Sequence, residues 1–124
     1  MPNKIPIIKM GENLIVSLKS DVDDKIAVEL EINLLNKIRD TNASGVLIEV
    51  SALDMVDSFM GRLLSEIALT SSTMNAYTVV VGIQPAVAIT LVELGLKLKG
   101  VYTALNVEDG IEKLNKLKNV QNKG

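Results

Sequence analysis

The sequence predicts an α/β fold with a mainly parallel sheet of four to five strands and about four helices. Short runs of Val, Ile and Leu alternate with longer segments of helical apolar spacing, in the order β-β-α-β-α-β-α-β-α. Because a helix between two strands returns the chain to the start of the sheet, this alternation favours parallel pairing. The first two strands are separated only by a short turn, which adds an antiparallel edge. The 124 residues suit one domain, which we expect at residues 1–118, followed by a polar tail at 119–124.

The N-terminal segment predicts a β-hairpin. Residues 4–10 form the first strand, and Pro6 favours an edge position because proline cannot donate to a strand ladder. Residues 11–13 form the turn, and residues 14–18 form the second strand.

A first helix is expected after this hairpin. Residues 20–24 supply N-cap candidates and first-turn acids, and the helix runs to Arg39 or Asp40 before the segment 41–45 closes it. Four apolar residues recur at four-residue steps and two more widen the stripe, which predicts one buried face. They are Ile26, Leu30, Leu34 and Ile38, with Ala27 and Leu35 beside them.

Strands and helices then alternate. A strand is expected at residues 46–50 and a second helix at residues 58–74. Tyr77–Val81 is a nearly unbroken β-branched run, typical of a central buried strand. A short last strand covers Val101–Ala104, and a final helix opens at Asn106 or Val107 and fades into the polar tail.

The third predicted helix is apolar on more than one face. It begins at Pro85, which suits the first helical position, and ends at Gly95, which suits the position after a helix. Glu93 is its only charged residue. A helix that is apolar nearly all round is either buried or part of an interface. We therefore regard Pro85, Val87 and Leu91 as candidate interface residues.

Composition argues against several classes of function. The net charge of −2 and the lack of a basic stripe argue against nucleic acid and anionic membrane as partners. The chain has no cysteine and no histidine, which removes thiol chemistry and the commonest general base. It shows no phosphate-binding loop and no metal-ligand cluster. We expect no enzyme activity, no catalytic residue, no cofactor and no metal. No signal peptide or membrane span is visible, so a cytoplasmic location is the default expectation.

Ser58 lies at the junction between the third strand and the second helix. The start of a helix offers free backbone N–H groups and a positive dipole end, which favour an oxygen or a phosphate. Two interpretations remain open from local sequence: Ser58 is the helix N-cap, or it is a phosphorylated switch. The neighbouring Asp54 and Asp57 suit a turn and a cap, or contacts to a kinase. Phe59 suits a core anchor at the helix start.

Three blocks of sequence carry a resemblance to a known family. They are Leu-Leu-Asn-Lys-Ile at 34–38, Asp-Met-Val-Asp-Ser-Phe at 54–59, and Gly-Ile-Gln-Pro-Ala-Val-Ala-Ile-Thr-Leu-Val-Glu-Leu-Gly at 82–95. With the element order and the strand at 46–50, they resemble the STAS domain of sulphate transporters and anti-sigma-factor antagonists. Among STAS domains they resemble the small, RsbS-type scaffold subunit of the bacterial stressosome. The resemblance covers nearly the whole chain and implies a single STAS domain at 1–118.

This resemblance implies a mechanism. In such proteins a serine at the position of Ser58 is phosphorylated by a serine/threonine switch kinase, and a serine phosphatase resets it. The unphosphorylated scaffold assembles with sensor paralogues that carry C-terminal STAS domains, and the assembly sequesters the kinase. We therefore expect a homodimer, a large hetero-oligomer with the paralogues, and control of a general stress response by kinase release.

Three other functions are alternatives. A stand-alone STAS phosphoprotein would bind an anti-sigma-factor kinase without forming a large scaffold. A transporter-attached or nucleotide-binding STAS domain is less consistent with the sequence, which has no membrane segment and no glycine-rich phosphate loop. A phospho-aspartate receiver would need an acidic pair after its first strand, where residues 10–20 offer only Glu12.

Overall fold

A five-stranded sheet forms the middle layer of the protein, and its strands lie side by side in the order of the sequence. The computed structural model describes residues 5–93 and 100–123, with side chains described as far as Val120 in the last helix. The first two strands pair antiparallel and the remaining pairs are parallel, as predicted. The strands are β1 (Ile7–Met10), β2 (Asn13–Lys19), β3 (Gly45–Ala52), β4 (Tyr77–Val81) and β5 (Val101–Ala104).

Within the described residues, four helices connect or follow the strands in the predicted order. They are α1 (Asp24–Thr41), α2 (Ser58–Thr73), α3 (Pro85–Glu93) and α4 (Val107–Lys123). Asp23 caps α1 by accepting a hydrogen bond from the backbone N–H of Ile26 at 2.8 Å, within the predicted cap segment. Most of the predicted buried stripe of α1 is present, since Ala27, Leu30, Leu34 and Ile38 are buried, whereas Ile26 and Leu35 are half-buried.

Several boundaries differ from the sequence predictions. The strand β1 begins at Ile7, whereas the sequence predicted a strand from residue 4, which lies outside the described residues. Pro6 therefore precedes the strand, where its lack of an N–H group costs no ladder hydrogen bond. The helix α4 continues to Lys123 through the segment predicted as a tail. The predicted helix end at Gly95 lies outside the described residues.

The two faces of the sheet carry different helices. Alternate residues of β2, β3 and β4 pack with α1 and α2 in the larger core. On the opposite face, Leu47, Val79 and Val81 pack against Leu114 of α4. Gly110 lets α4 approach closely, since a Cβ atom there would lie 2.7 Å from Cγ1 of Val81. The loops that follow β3 and β4 emerge together at the carboxyl end of the parallel strands, where ligand and partner sites occur in α/β folds.

Candidate phosphorylation site

Ser58 is the first residue of α2, directly after the loop that leaves β3. The residue before it, Asp57, has extended backbone angles (φ −108°, ψ 179°) and accepts a hydrogen bond from the N–H of Met60 at 2.9 Å. Asp57 is therefore the N-cap, and the interpretation of Ser58 as the cap is wrong. An aspartate suits this position because its carboxylate also interacts with the positive end of the helix dipole. The hydroxyl of Ser58 is thus not used to cap the helix.

The hydroxyl of Ser58 instead contacts Arg62, one turn further along α2. Nη2 of Arg62 donates to Oγ of Ser58 at 3.3 Å, and Nε donates to the Ser58 carbonyl oxygen at 3.3 Å. Ser58 is half-buried and Arg62 is exposed. Arg62 was not among the residues predicted from the sequence, although its four-residue spacing from Ser58 places both on one helix face.

Asp54 links the loop before α2 to the loop before α1. Its Oδ1 accepts a hydrogen bond from the hydroxyl of Ser20 at 2.9 Å, and that hydroxyl also lies 3.4 Å from the carbonyl oxygen of Ala52. Asp54 and Asp57 therefore both have structural contacts, as the turn-and-cap interpretation predicts.

Apolar side chains hold the β3–α2 junction against the larger core. Phe59 and Val56 are partly buried and pack against the larger core, which agrees with Phe59 as an anchor of the helix start. Met55, by contrast, is 78% exposed at the tip of the loop. A cleft of about 270 Å³ separates this loop from the start of α1. Its lining includes the carboxylates of Asp24 and Asp57 together with these apolar residues.

The loop before α3 is fastened to the same end of the sheet. Nε2 of Gln84 donates to the carbonyl oxygen of Ser51 at 2.6 Å. Gly82 has a φ of +79°, and a Cβ atom there would lie 2.7 Å from Oε2 of Glu49. Oε2 of Glu49 accepts from the N–H of Ser51 at 3.1 Å, so the Glu49 side chain occupies the space beside Gly82 at the end of β3.

The helix α3 does not present all the predicted interface residues to solvent. Pro85 is exposed, but Val87 and Leu91 are only 3% and 6% exposed, so these two belong to the interior of the domain. Ile89 and Val92 are 59% and 79% exposed. An apolar surface on α3 therefore consists of Ile89 and Val92, with Pro85, rather than Val87 and Leu91.

Within 5–93 and 100–123, no group of three or more Asp, Glu, His or Cys side chains is placed to hold a metal ion. None of the helices in that part of the chain has the length and apolar character needed to cross a membrane.

Comparison with known proteins gives a consistent result. The STAS-domain family profile matches residues 4–110. A structure of RsbS from Moorella thermoacetica carrying the substitution S58E is 37% identical, with a TM-score of 0.82 over 94% of this chain and 99% of that chain. A chain from a structure of the molecular architecture of the stressosome is 39% identical, with a TM-score of 0.79 over 91% of this chain and 98% of that chain.

A longer relative is known from Bacillus subtilis (strain 168). The RsbT co-antagonist protein RsbRA is 28% identical over 108 residues, which represent 86% of this chain. The match covers 39% of RsbRA, so the present chain spans about two fifths of that protein's length.

Proposed function

The chain belongs to the STAS-domain family, and from this premise we propose that it is a non-enzymatic scaffold of a stressosome that holds a switch kinase and releases it when Ser58 is phosphorylated. One observation carries the proposal: the Ser58 hydroxyl lies at the start of α2 while Asp57 caps that helix. A modification at Ser58 therefore need not remove the contact that starts the helix. The similarity to an RsbS protein studied with S58E supports the same residue, since glutamate adds negative charge as a phosphate does.

Phosphorylation of Ser58 adds negative charge to the surface of the protein. The γ-phosphoryl group of ATP forms a bond to Oγ of Ser58, ADP leaves, and the hydroxyl proton is released. The product carries about −1.5 to −2 charge at neutral pH. A partner packed over the junction would then meet repulsion and the cost of burying a charge. The signal acts on the interface between proteins, and the fold of the domain is retained.

The similar proteins indicate which partners we propose for this chain. The similarity to RsbRA and to a stressosome chain supports co-assembly with larger sensor paralogues through their STAS domains. A serine/threonine kinase is the protein retained and released, and a serine phosphatase returns Ser58 to its free hydroxyl. In this arrangement the chain supplies the switch site, and the paralogues supply the sensor.

Size-exclusion chromatography with light scattering tests the proposal. The protein is measured alone, with a sensor paralogue, and with the paralogue and kinase. We expect a particle much larger than a dimer that contains the kinase, and loss of the kinase when ATP is added. Retention of the kinase by a small complex that forms without the paralogue would instead support a stand-alone antagonist. No binding to either protein would contradict both functions.

A further inference from the structure

Arg62 is the polar side chain most closely associated with Ser58, and the proposed function does not yet use it. The geometry assigns to Arg62 the role of counter-ion for a phosphate on Ser58 within the same helix. This inference rests on the proposed function in one respect, since it takes Ser58 as the residue that is phosphorylated. It adds that the chain itself provides the cation that binds the phosphate.

The guanidinium is already oriented toward the modification site. Its Nε donates to the Ser58 carbonyl oxygen, and its Nη2 donates to Oγ, each at 3.3 Å. A phosphate on Oγ places its terminal oxygens beyond that atom, within reach of a guanidinium that already contacts Oγ. The planar guanidinium carries five N–H donors, and arginine binds phosphate through two parallel hydrogen bonds. The contact with Oγ is replaced by shorter, charge-assisted contacts with the phosphate oxygens, without a change in the helix.

Arg62 is not engaged by an acid elsewhere. Across residues 5–93 and 100–123, the ion pairs are Arg39 with Asp40, Lys116 with Glu112, and Lys118 with Glu12. No carboxylate in that part of the chain pairs with Arg62, and both of its hydrogen bonds go to Ser58. It is also the only basic residue in α2. A phosphate on Ser58 therefore does not have to displace an existing ion pair.

Several carboxylates lie near Ser58. Asp57 precedes Ser58, Asp54 lies in the loop before α2, and Asp24 is the first residue of α1 on the other side of the cleft. These carboxylates repel a phosphate. The positive end of the helix dipole offsets part of that repulsion, and the guanidinium of Arg62 adds an attraction directed at the phosphate itself.

The phosphate pKa gives a direct measurement of this contact. Phosphoserine is installed at position 58 during translation, so the sample does not depend on any kinase. The phosphate is then titrated by phosphorus NMR at low ionic strength. The second pKa of phosphoserine is ordinarily about 6. A neighbouring cation favours the dianion, so we expect the phosphate pKa to be lower with Arg62 than with glutamine at that position, by roughly 0.2–0.7 unit for an exposed pair.

Variants of the two arginines separate the proposed contact from general electrostatics. We expect Arg62→Gln to raise the phosphate pKa toward or above its ordinary value, and Arg62→Lys to restore part of the lowering. Arg39→Gln removes the same charge from the last turn of α1, so it should leave the phosphate pKa unchanged. An equal phosphate pKa in the wild type and Arg62→Gln would overturn the inference. Because the phosphate is supplied in translation, failure of a kinase to modify Ser58 would contradict the proposed function and leave this measurement unaffected.

Discussion

Gln84 and Ser51 connect the two loops at the carboxyl end of the sheet. Nε2 of Gln84, one residue before α3, donates to the carbonyl oxygen of Ser51 at the end of β3 at 2.6 Å. The chain continues from Ser51 through the junction that contains Ser58. The start of α3 is therefore fixed to the strand that leads into the candidate phosphorylation site.

Replacement of Gln84 should loosen this connection. Gln84→Met keeps a similar side-chain size but removes the donor, and we expect a loss of about 0.5–1.5 kcal/mol in the free energy of unfolding. Gln84→Glu should cost more, because a carboxylate oxygen would face the Ser51 carbonyl oxygen. Urea denaturation followed by circular dichroism measures both. Equal stability of all three proteins would show that the hydrogen bond contributes nothing in solution.

Capping of α2 should depend on Asp57 and not on Ser58. Asp57→Ala removes the acceptor for the Met60 N–H, so we expect a loss of about 0.5–2 kcal/mol, and Asp57→Ser should recover most of it. Ser58→Ala should change stability by less than about 0.5 kcal/mol. Urea denaturation of these variants decides between the two residues. A larger loss in the free energy of unfolding for Ser58→Ala than for Asp57→Ala would show that Ser58 is the cap.

Retention of the kinase should respond to charge at Ser58. We expect Ser58→Ala to hold the kinase even after ATP is added, because it has no hydroxyl to accept a phosphoryl group. Ser58→Asp should weaken retention because it places a negative charge at the interface. Co-purification of the kinase with each variant provides the measurement, and Ser65→Ala, on the same helix, controls for loss of a hydroxyl. If both Ser58 variants retained and released the kinase alike, Ser58 would not be the switch.

A pair of glutamates between α1 and α2 should make stability depend on pH. Burial raises the pKa of Glu31, and the charge of Glu66 and a hydrogen bond with it raise the pKa further. Because the folded pKa exceeds the unfolded value, the folded state binds the proton more tightly. This contribution to stability is complete below the ordinary pKa of about 4.5 and is lost as pH rises through the raised pKa of the folded state.

Glu31→Gln should remove that dependence. The difference in free energy of unfolding between Glu31→Gln and the wild type should rise as the pH is raised from about 4 to 7. Over this range the wild type loses the proton on Glu31, and glutamine has no such proton to lose. Urea denaturation at several pH values tests this, and Glu29→Gln, an exposed acid on the same helix, controls for the loss of one negative charge. A constant difference between Glu31→Gln and the wild type would refute the coupling.

The fold could be predicted from the sequence because apolar and polar residues alternate clearly in most elements. Leu30, Leu34 and Ile38 recur at helical spacing among polar residues, so the buried face of α1 is readable. The N-cap of α2 could not be predicted, because Asp57 and Ser58 are both good cap residues. Only the backbone angles show that the extended segment ends at Asp57. The hydrogen bonds between Arg62 and Ser58 could not be predicted from the sequence, because residue spacing indicates proximity but not the direction of a long side chain.

The orientation of α3 could not be predicted for a different physical reason. Its residues are apolar nearly all round, so no polar stripe indicates which side faces water. The structure buries Val87 and Leu91 and exposes Ile89 and Val92. The distinction between interior and surface comes from packing against the rest of the domain.

This orientation gives the final prediction, which concerns assembly. Ile89→Glu and Val92→Glu place a charge on the exposed apolar surface of α3, where desolvating it would oppose binding of another protein. We expect both variants to keep a native circular-dichroism spectrum and to form smaller particles with the sensor paralogue. Ala86→Glu adds the same charge to the helix without replacing a large exposed apolar side chain, and serves as the control. Val87→Glu should instead unfold the domain, because it buries an unpaired carboxylate. Full-size particles from folded Ile89→Glu and Val92→Glu, measured by light scattering, would exclude this surface from the assembly.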